Sequence, residues 1–249
     1  MYNQIYDLCR VRNQSAGISV GPTQRVKFLM KMLDHHGIDY ELDQFEVKWS
    51  DAKWHNLILP GSSSRMVVAH HDVVNVDIDN ANDNSASLIN AVMIKKLMPH
   101  IHVVLLDGEE RGGLGSQRLS DQINQGKFGH IDWVLNLELT GRGGSYFCID
   151  RNPGVLNSRI VDLFGCPTTH PLYNDSVTIR RNNIDSCVIF TLPPAENESV
   201  VQTKQVWWND VLLDYSIVSH CHNKKDCVDA ISVDDMKTFV EKVAVPILE

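Results

Sequence analysis

The chain has 249 residues and, with 23 basic against 31 acidic side chains, a formal net charge of −8 at pH 7. Because no block of Lys and Arg offsets this charge, the composition argues against nucleic acid and against an anionic membrane surface as partners. The length suits a single domain over residues 1–249 with one sizeable core, and the oligomeric state stays open.

The first twenty residues lack the apolar core of a signal peptide. No apolar run approaches the ~18 residues that a transmembrane helix needs. We therefore expect a cytoplasmic protein. Six cysteines are scattered along the chain without a CxxC pair, which is typical of reduced thiols.

Apolar periodicity predicts helices and strands that alternate along the chain. Residues 22–37 have apolar side chains at helical spacing and are followed by two alternating segments, 40–47 and 55–60, that predict strands. The further predicted strands are residues 66–70, 101–107, 133–139, 145–149 and 186–193. The further predicted helices are residues 84–98, 114–126, 153–164 and 232–247, and the stretch 195–218 is ambiguous with a helical middle.

This alternation predicts an α/β fold in one domain. Strands separated by helices form a central, mostly parallel mixed sheet with helices on both faces. In such a sheet, chemistry gathers at the carboxyl ends of the strands, where several loops and helix starts converge. Titratable side chains at those positions are therefore candidates for a functional site.

Imidazoles and carboxylates recur at the predicted strand ends and helix starts. In chain order, these residues and those of the later segment SHCHNKKD are His70, Asp72, Asp83, Glu109, Glu110, Glu138, His222 and Asp226. Because clustered carboxylates need a positive partner, and because mixed imidazole and carboxylate ligands suit Zn²⁺, the pattern indicates a metal site. A carboxylate shared by two ions would make a hydrolytic site with metals ~3.5–4 Å apart.

Each of these residues also has a simpler explanation when it is considered alone. A single histidine at a strand end, such as His70, is usually an ordinary polar residue. Glu109 and Glu110 between glycines fit a solvated turn, and Asp83 fits a helix N-cap. Five motifs follow one another in order, namely HxD, an Asp-Asn helix start, GEE, a strand-end acid and HxxxD. This ordered set favours the metal site over the separate explanations.

The blocks AHHD, ANDNSAS, DGEERGGLGS, NLELTG and HNKKD lie in this order between Met66 and Asp235. They resemble the signature blocks of the zinc aminopeptidases of metallopeptidase family 28, which also includes the glutaminyl cyclases. The resemblance implies a fold of the zinc-exopeptidase, phosphorylase/hydrolase-like type. It also implies two Zn²⁺ per chain and a peptide or small amide substrate.

The resemblance assigns roles to five metal ligands by matching position. His70 and Glu138 would bind one metal. Glu110 and His222 would bind the other, and Asp83 would bridge both.

It also assigns roles to residues around the metals. Glu109 would be the general base that takes a proton from the water shared by the metals. Asp72 and Asp226 would orient the two metal-binding imidazoles. Asp185 resembles the acid of a further family block and would line the substrate pocket, although a loop-end polar residue is an equally good explanation.

The chain departs from the family pattern at two positions. Glu138 stands where the common pattern has Asp. In SHCHNKKD the usual HTxxD block is altered, so His220 competes with His222 for the ligand role. The spacing to Asp226 favours His222.

The leading functional hypothesis is hydrolysis of a peptide or related amide, with release of an N-terminal residue. One alternative is an acyltransferase of the glutaminyl cyclase type, which works with one zinc. A carboxypeptidase or amide deacylase on the same scaffold is a second alternative, and Glu138 keeps it open. A binding module that lost its chemistry is a third, and the complete set of ligands argues against it.

Overall fold

The computed structural model describes residues 1–11, 22–74, 77–169, 173–196 and 220–249. Its strands are β1 (Glu41–Val47), β2 (Ser50–Leu59), β3 (Arg65–His70), β4 (His102–Leu106), β5 (Trp133–Leu137), β6 (Phe147–Asp150), β7 (Thr168–Thr169) and β8 (Ser186–Thr191). Its helices are α1 (Gln4–Arg10), α2 (Gln24–His35), α3 (Ala86–Leu97), α4 (Leu114–Asn124), α5 (Val155–Phe164), α6 (Asp175–Arg181), α7 (Val233–Phe239) and α8 (Val245–Leu248). Most of the ambiguous stretch 195–218 lies outside the described residues.

The eight strands form one mixed sheet in the order β1-β2-β4-β3-β5-β8-β6-β7. The central neighbours β4, β3, β5 and β8 run parallel, as do β6 and β7. The pairs β1/β2, β2/β4 and β6/β8 are antiparallel. Parallel neighbours need crossover connections, and α3 and α4 supply two of them. The predicted α/β fold with a mostly parallel mixed sheet is confirmed.

Helices cover both faces of the sheet because the central strands are apolar on both sides. In β3, Val67 and Ala69 point into the core beneath α1, α2, α3, α5, α7 and α8. Met66 and Val68 point into the opposite core, beneath α4 and α6. Side chains of a strand alternate between faces, so a continuous apolar run such as this one fills two cores at once.

The helix starts differ slightly from the sequence prediction. Helix α2 begins after Thr23, whose side-chain oxygen accepts a hydrogen bond from the Val26 amide, so Pro22 precedes the cap. Ser232, the first residue of the predicted helix 232–247, is the N-cap of α7, and its side chain accepts a hydrogen bond from the Asp235 amide. The seven-residue helices α1 and α6 had no counterpart in the prediction, because two turns carry little periodicity.

Strand register brings the predicted site residues to one level. Val68 of β3 lies opposite Asn136 of β5, so His70 and Glu138 both lie just past that pair at the carboxyl edge. His70 also lies opposite Leu106 of β4, two residues before Gly108 and the glutamate pair. Among the described residues, no helix has the length and apolar character to cross a bilayer.

Candidate metal centre

Two groups of potential metal ligands meet at the carboxyl edge of the sheet. In the first group, which we call the buried group, His70 Nε2 lies 3.3 Å from Asp83 Oδ1 and 3.4 Å from Glu138 Oε2. All three side chains are buried, with His70 only 1% and Glu138 8% exposed. The ligand atoms lie within 4.8 Å of one another, which is close enough to share one ion.

The second group, which we call the exposed group, is built on turns. His222 Nε2 lies 3.0 Å from Glu110 Oε1 and 3.1 Å from Asp83 Oδ2. The side chain of His222 is 48% exposed. Asp83 therefore belongs to both groups and offers a different carboxylate oxygen to each.

The donor chemistry of both groups fits a divalent metal. Each group combines one imidazole nitrogen with two carboxylate oxygens, which is the ligand mixture that zinc accepts. With three protein ligands in each group, a bound metal would keep coordination positions open for substrate. The five ligands are those that the sequence resemblance implied.

Charge crowding in these groups shifts the pKa of nearly every member. Burial would lower the pKa of His70, but contacts with Glu138, Asp72 and Asp83 raise it well above its usual value. Hydrogen bonds to Asp83 and Glu110 raise the pKa of His222 to about 10. In the absence of metal, both shifts favour the protonated imidazoles beside these carboxylates. Binding of a divalent cation would displace those protons.

Asp72 fixes the turn that carries the adjacent glutamates. Its Oδ1 accepts a hydrogen bond from the Glu109 amide and its Oδ2 one from the Glu110 amide, each 3.1 Å long. Asp72 Oδ1 also lies 3.4 Å from His70 Nδ1, at the long end of hydrogen-bond distances. Asp72 thus contacts the imidazole it was predicted to orient and, in addition, holds Glu109 and Glu110 in place.

Glu109 lies among acidic side chains and outside both ligand groups. Burial raises the pKa of its carboxyl well above the usual value, Glu138 and Asp175 add to the rise, and His70 opposes it. A carboxyl group with a raised pKa is a candidate for proton transfer. Glu110 thus belongs to one of the ligand groups, whereas its neighbour Glu109 belongs to neither.

Asp226 has a different partner from the one predicted. Its carboxylate accepts hydrogen bonds from the backbone amides of Asn82, at 2.7 Å, and Asp83, at 3.1 Å. The prediction that Asp226 orients His222 is therefore wrong as to its partner. The two amide donors satisfy the buried carboxylate, and the carboxylate in turn holds the segment that carries Asp83 in place.

The structure contradicts the prediction that Asp185 lines the substrate pocket. Asp185 precedes β8 and its carbonyl accepts a hydrogen bond from the amide of Val134, at the amino end of β5. Its carboxylate accepts the amide of Leu156 at the start of α5, at 3.0 Å. Because β8 is parallel to β5, this position lies at the opposite edge of the sheet from Glu138.

Of the two acidic residues Asp175 and Asp185, Asp175 is the one that lies near the ligand groups. It is the first residue of α6 and fully buried, and burial raises the pKa of its carboxyl to about 7, with His70 lowering and Glu138 raising it. Its neighbour Asn174 lies 3.5 Å from Asn136 Nδ2, which lies 3.4 Å from Glu138 Oε1. The sequence signal was an Asn-Asp-Ser helix start, similar to the segment around Asp83.

Arg25 is a second residue that the sequence did not point to. It is almost fully buried, and its Nη2 donates a 2.6 Å hydrogen bond to Ser85 Oγ, two residues after Asp83. Burial lowers the pKa of its guanidinium, while Asp72, Asp226 and Asp83 raise it. The positively charged guanidinium of Arg25, on α2, thus lies close to the carboxylates of the site.

Two other histidines near the site lie outside both groups. His71 is buried with its Nε2 2.8 Å from the carbonyl of His55, away from the ligands. His220 Nδ1 lies 3.4 Å from Arg142 Nη1. The structure therefore brings His222, and not His220, to Asp83 and Glu110.

The model of one protein family matches most of the sequence. The model of Peptidase family M28 matches residues 57–245, a range that contains every ligand described above. The chain belongs to peptidase family M28. It is a metallopeptidase, and the family resemblance drawn from the sequence blocks is confirmed.

Solved structures with the same fold include two kinds of protein. Porphyromonas gingivalis glutaminyl cyclase is 18% identical, with a TM-score of 0.72 over 99% of this chain and 95% of that one. The LapA aminopeptidase of Legionella pneumophila is 14% identical, with a TM-score of 0.69 over 99% of this chain and 70% of that one.

BSAP, a zinc aminopeptidase from Bacillus subtilis, is a more distant match. It is 17% identical, with a TM-score of 0.60 over 80% of this chain and 50% of that one. No curated protein sequence matches the chain. At these identities the likeness to solved structures establishes the fold alone.

Proposed function

We propose that this metallopeptidase is an aminopeptidase that works with two Zn²⁺ per chain and uses Glu109 as general base. The proposal rests on the position of Asp83, whose two carboxylate oxygens contact different ligand groups. Its Oδ1 lies 3.3 Å from the imidazole of one group and its Oδ2 lies 3.1 Å from the imidazole of the other. A carboxylate in this position suits a bridge between two ions.

Bound divalent ions supply two effects to such a site, namely polarisation of a substrate carbonyl and a lower pKa for water. The protein supplies the proton transfers. Glu109 takes a proton from the attacking water and returns it to the leaving amine, which its raised pKa favours. Asp72 keeps the Glu109 backbone in position through its hydrogen bond to the amide.

The charge of the site supports release of an N-terminal residue. Two divalent ions would bring four positive charges, and the guanidinium of Arg25 lies close to the site, while six carboxyl groups surround it: Asp72, Asp83, Glu109, Glu110, Glu138 and Asp175. Carboxylates that the metals do not neutralise attract the α-ammonium group of a peptide and repel an α-carboxylate. This favours an aminopeptidase over a carboxypeptidase. The names of two proteins with this fold, an aminopeptidase and a zinc aminopeptidase, agree with the proposal.

A glutaminyl cyclase type of acyl transfer is the second candidate. The observation in its favour is that the chain covers 95% of the Porphyromonas gingivalis glutaminyl cyclase, so both proteins have a similar extent. Such a reaction needs one zinc. The number of metals and the product therefore separate the two candidates.

Metal quantification combined with a substrate panel tests the proposal. The panel contains aminoacyl, N-acylated and N-terminal glutaminyl peptides. We expect two zinc ions per chain and cleavage of the aminoacyl peptides. One zinc with cyclisation of glutaminyl peptides would establish the second candidate. Cleavage of N-acylated peptides alone would indicate a carboxypeptidase or deacylase, and a chain that binds no zinc and turns over no substrate would be a binding module.

The role of Glu109 is tested by the substitution Glu109→Gln. We expect normal zinc content and a loss of turnover of at least ~10²-fold, because general base catalysis contributes about that much or more. The matched control is Arg111→Gln on the same turn, where the side chain is exposed and turnover should change little. Loss of zinc together with turnover in Glu109→Gln would show that Glu109 is a ligand.

A further inference from the structure

Asn84 joins two of the ligands of the buried group. It directly follows Asp83 in the chain and is completely buried. Its Nδ2 donates a 3.0 Å hydrogen bond to the carbonyl of Leu137, and its Oδ1 accepts a 3.2 Å hydrogen bond from the amide of Leu139. These two peptide groups lie on either side of Glu138. A single carboxamide thus holds the backbone both before and after this ligand.

The backbone at Glu138 needs such support because the chain leaves the sheet there. Strand β5 ends at Leu137, and the amide of Glu138 makes one more hydrogen bond to the carbonyl of Ile189. The next residue, Leu139, has φ = +54°. The left-handed region is unfavourable for a residue with a side chain, so the surrounding contacts must impose this conformation.

Neighbouring polar residues hold the segment that follows. Asn90 Nδ2 donates to the carbonyl of Thr140 at 3.0 Å and to its hydroxyl at 2.9 Å. Asn82 Oδ1 accepts the amide of Gly141 at 2.8 Å. These bonds lie two and three residues beyond Glu138, so Asn84 is the side chain in this cluster whose bonds flank the ligand itself.

We propose that Asn84 is a positioning residue that sets the metal affinity of the buried group. Its two hydrogen bonds fix the backbone on both sides of Glu138, and so determine how closely this carboxylate approaches His70. Partners that orient metal ligands typically contribute 10- to 100-fold in affinity. The exposed group shares Asp83, but neither of its other ligands is held by Asn84. The inference rests on the proposed metal site and extends it to a residue that touches no metal.

The decisive variant is Asn84→Leu, which keeps the number of side-chain heavy atoms but removes both hydrogen bonds. Its matched control is Asn90→Leu, which removes two hydrogen bonds to the same segment without touching the residues beside Glu138. The measurement is the affinity of each variant for two equivalents of Zn²⁺, by competition with a chromophoric chelator. Thermal unfolding of the metal-free proteins is measured in parallel.

We expect Asn84→Leu to weaken one of the two zinc affinities by about 10- to 100-fold and to leave the other within a few-fold. Asn90→Leu should lower the unfolding temperature of the metal-free protein by a similar amount while keeping both affinities. Asn84→Ala, which adds no bulk, provides the same test should the leucine variant fail to fold, and it should show the same selective loss.

Three results would overturn the inference. Wild-type zinc affinities in both Asn84 variants would show that Asn84 has no role in positioning. Equal losses in the Asn84 and Asn90 variants would show that Asn84 only stabilises the fold. A wild-type protein that binds fewer than two zinc ions would contradict the proposed function as well, whereas the first two results would leave that function standing.

Discussion

The two ligand groups of the site share Asp83 but are built in different ways. His70 and Glu138 of the buried group lie at the ends of the parallel strands β3 and β5, and the sheet register sets their relative height. His222 and Glu110 of the exposed group lie on turns, and His222 has φ = +58°. The sheet thus determines the geometry of the buried group, whereas the connections between elements determine that of the exposed group.

This difference in construction implies a difference in stability. Strand-end ligands in a close-packed core have little freedom to move, so the buried group is preformed. The imidazole of His222 is about half exposed and is carried by a turn. Metals in the two groups should therefore differ in affinity and in rate of exchange.

Removal of each histidine provides the strongest test of this comparison. His70→Ala leaves the buried carboxylates of Asp83 and Glu138 without their imidazole, and it should destabilise the metal-free protein by on the order of 3 kcal/mol. His222→Ala removes a half-exposed imidazole and should cost less stability than His70→Ala. Urea unfolding of both metal-free variants measures the difference. Equal losses of stability would show that the two groups are equivalent.

Metal removal should proceed in two phases. A chelator reaches the exposed group first, so the first zinc should leave at least about tenfold faster than the second. Stopped-flow mixing with a chromophoric chelator measures both rates. His222→Ala should remove the fast phase and keep the slow one. A single phase for both ions in the wild-type protein would contradict the distinction between the groups.

The aspartates behind the two groups should have separable effects. Asp226→Asn keeps one oxygen acceptor but loses the other bond to the Asn82–Asp83 segment, which should cost about 1 kcal/mol and weaken both metals, because both use Asp83. Asp72→Asn loosens the turn of Glu109 and Glu110, so it should affect turnover and the exposed metal more. Zinc titration of both variants provides the measurement. Identical profiles would argue against separate roles.

The pH dependence of stability tests the electrostatics on the buried side. Burial raises the pKa of the Asp175 carboxyl to about 7 in the folded protein. The stability that this carboxyl contributes is therefore fully present below its pKa in the unfolded state, and it is lost as pH rises through about 7. Asp175→Asn, which cannot ionise, should therefore gain ~2 kcal/mol relative to wild type between pH 5 and pH 8 in the metal-free state.

The control for this experiment is Asp162→Asn, which lies exposed on α5 and should show no such trend. Thermal unfolding at both pH values measures the effect. A difference between Asp175→Asn and wild type that stays constant with pH would mean that Asp175 does not change its protonation over this range.

Strand-borne ligands were predictable from sequence for a physical reason. An apolar run that fills both cores identifies a central parallel strand, and the residues after such runs must meet at one edge, which is how His70 and Glu138 were found. The fold class followed from the same periodicity. The helix start at Asp83 was equally visible, because polar residues before an apolar helix are a local signal.

Spacing along the chain failed where side-chain direction mattered. Asp226 lies four residues after His222, but its carboxylate turns to two backbone amides that come from a segment about 140 residues earlier. The sequence points to Asp185 because its segment resembles a family block, whereas the start of α6 at Asp175 gives no periodic signal, because seven residues show little periodicity. Arg25 was missed because a buried cation in an N-terminal helix leaves no sequence pattern around the site.

The shared carboxylate of Asp83 couples the two binding equilibria. Occupancy of one group changes the charge and the orientation that the other group experiences, and thermodynamic linkage requires this influence to be the same in both directions. If the chain binds two zinc ions as proposed, its singly loaded forms have their own properties, and the free zinc concentration governs how the population divides among them.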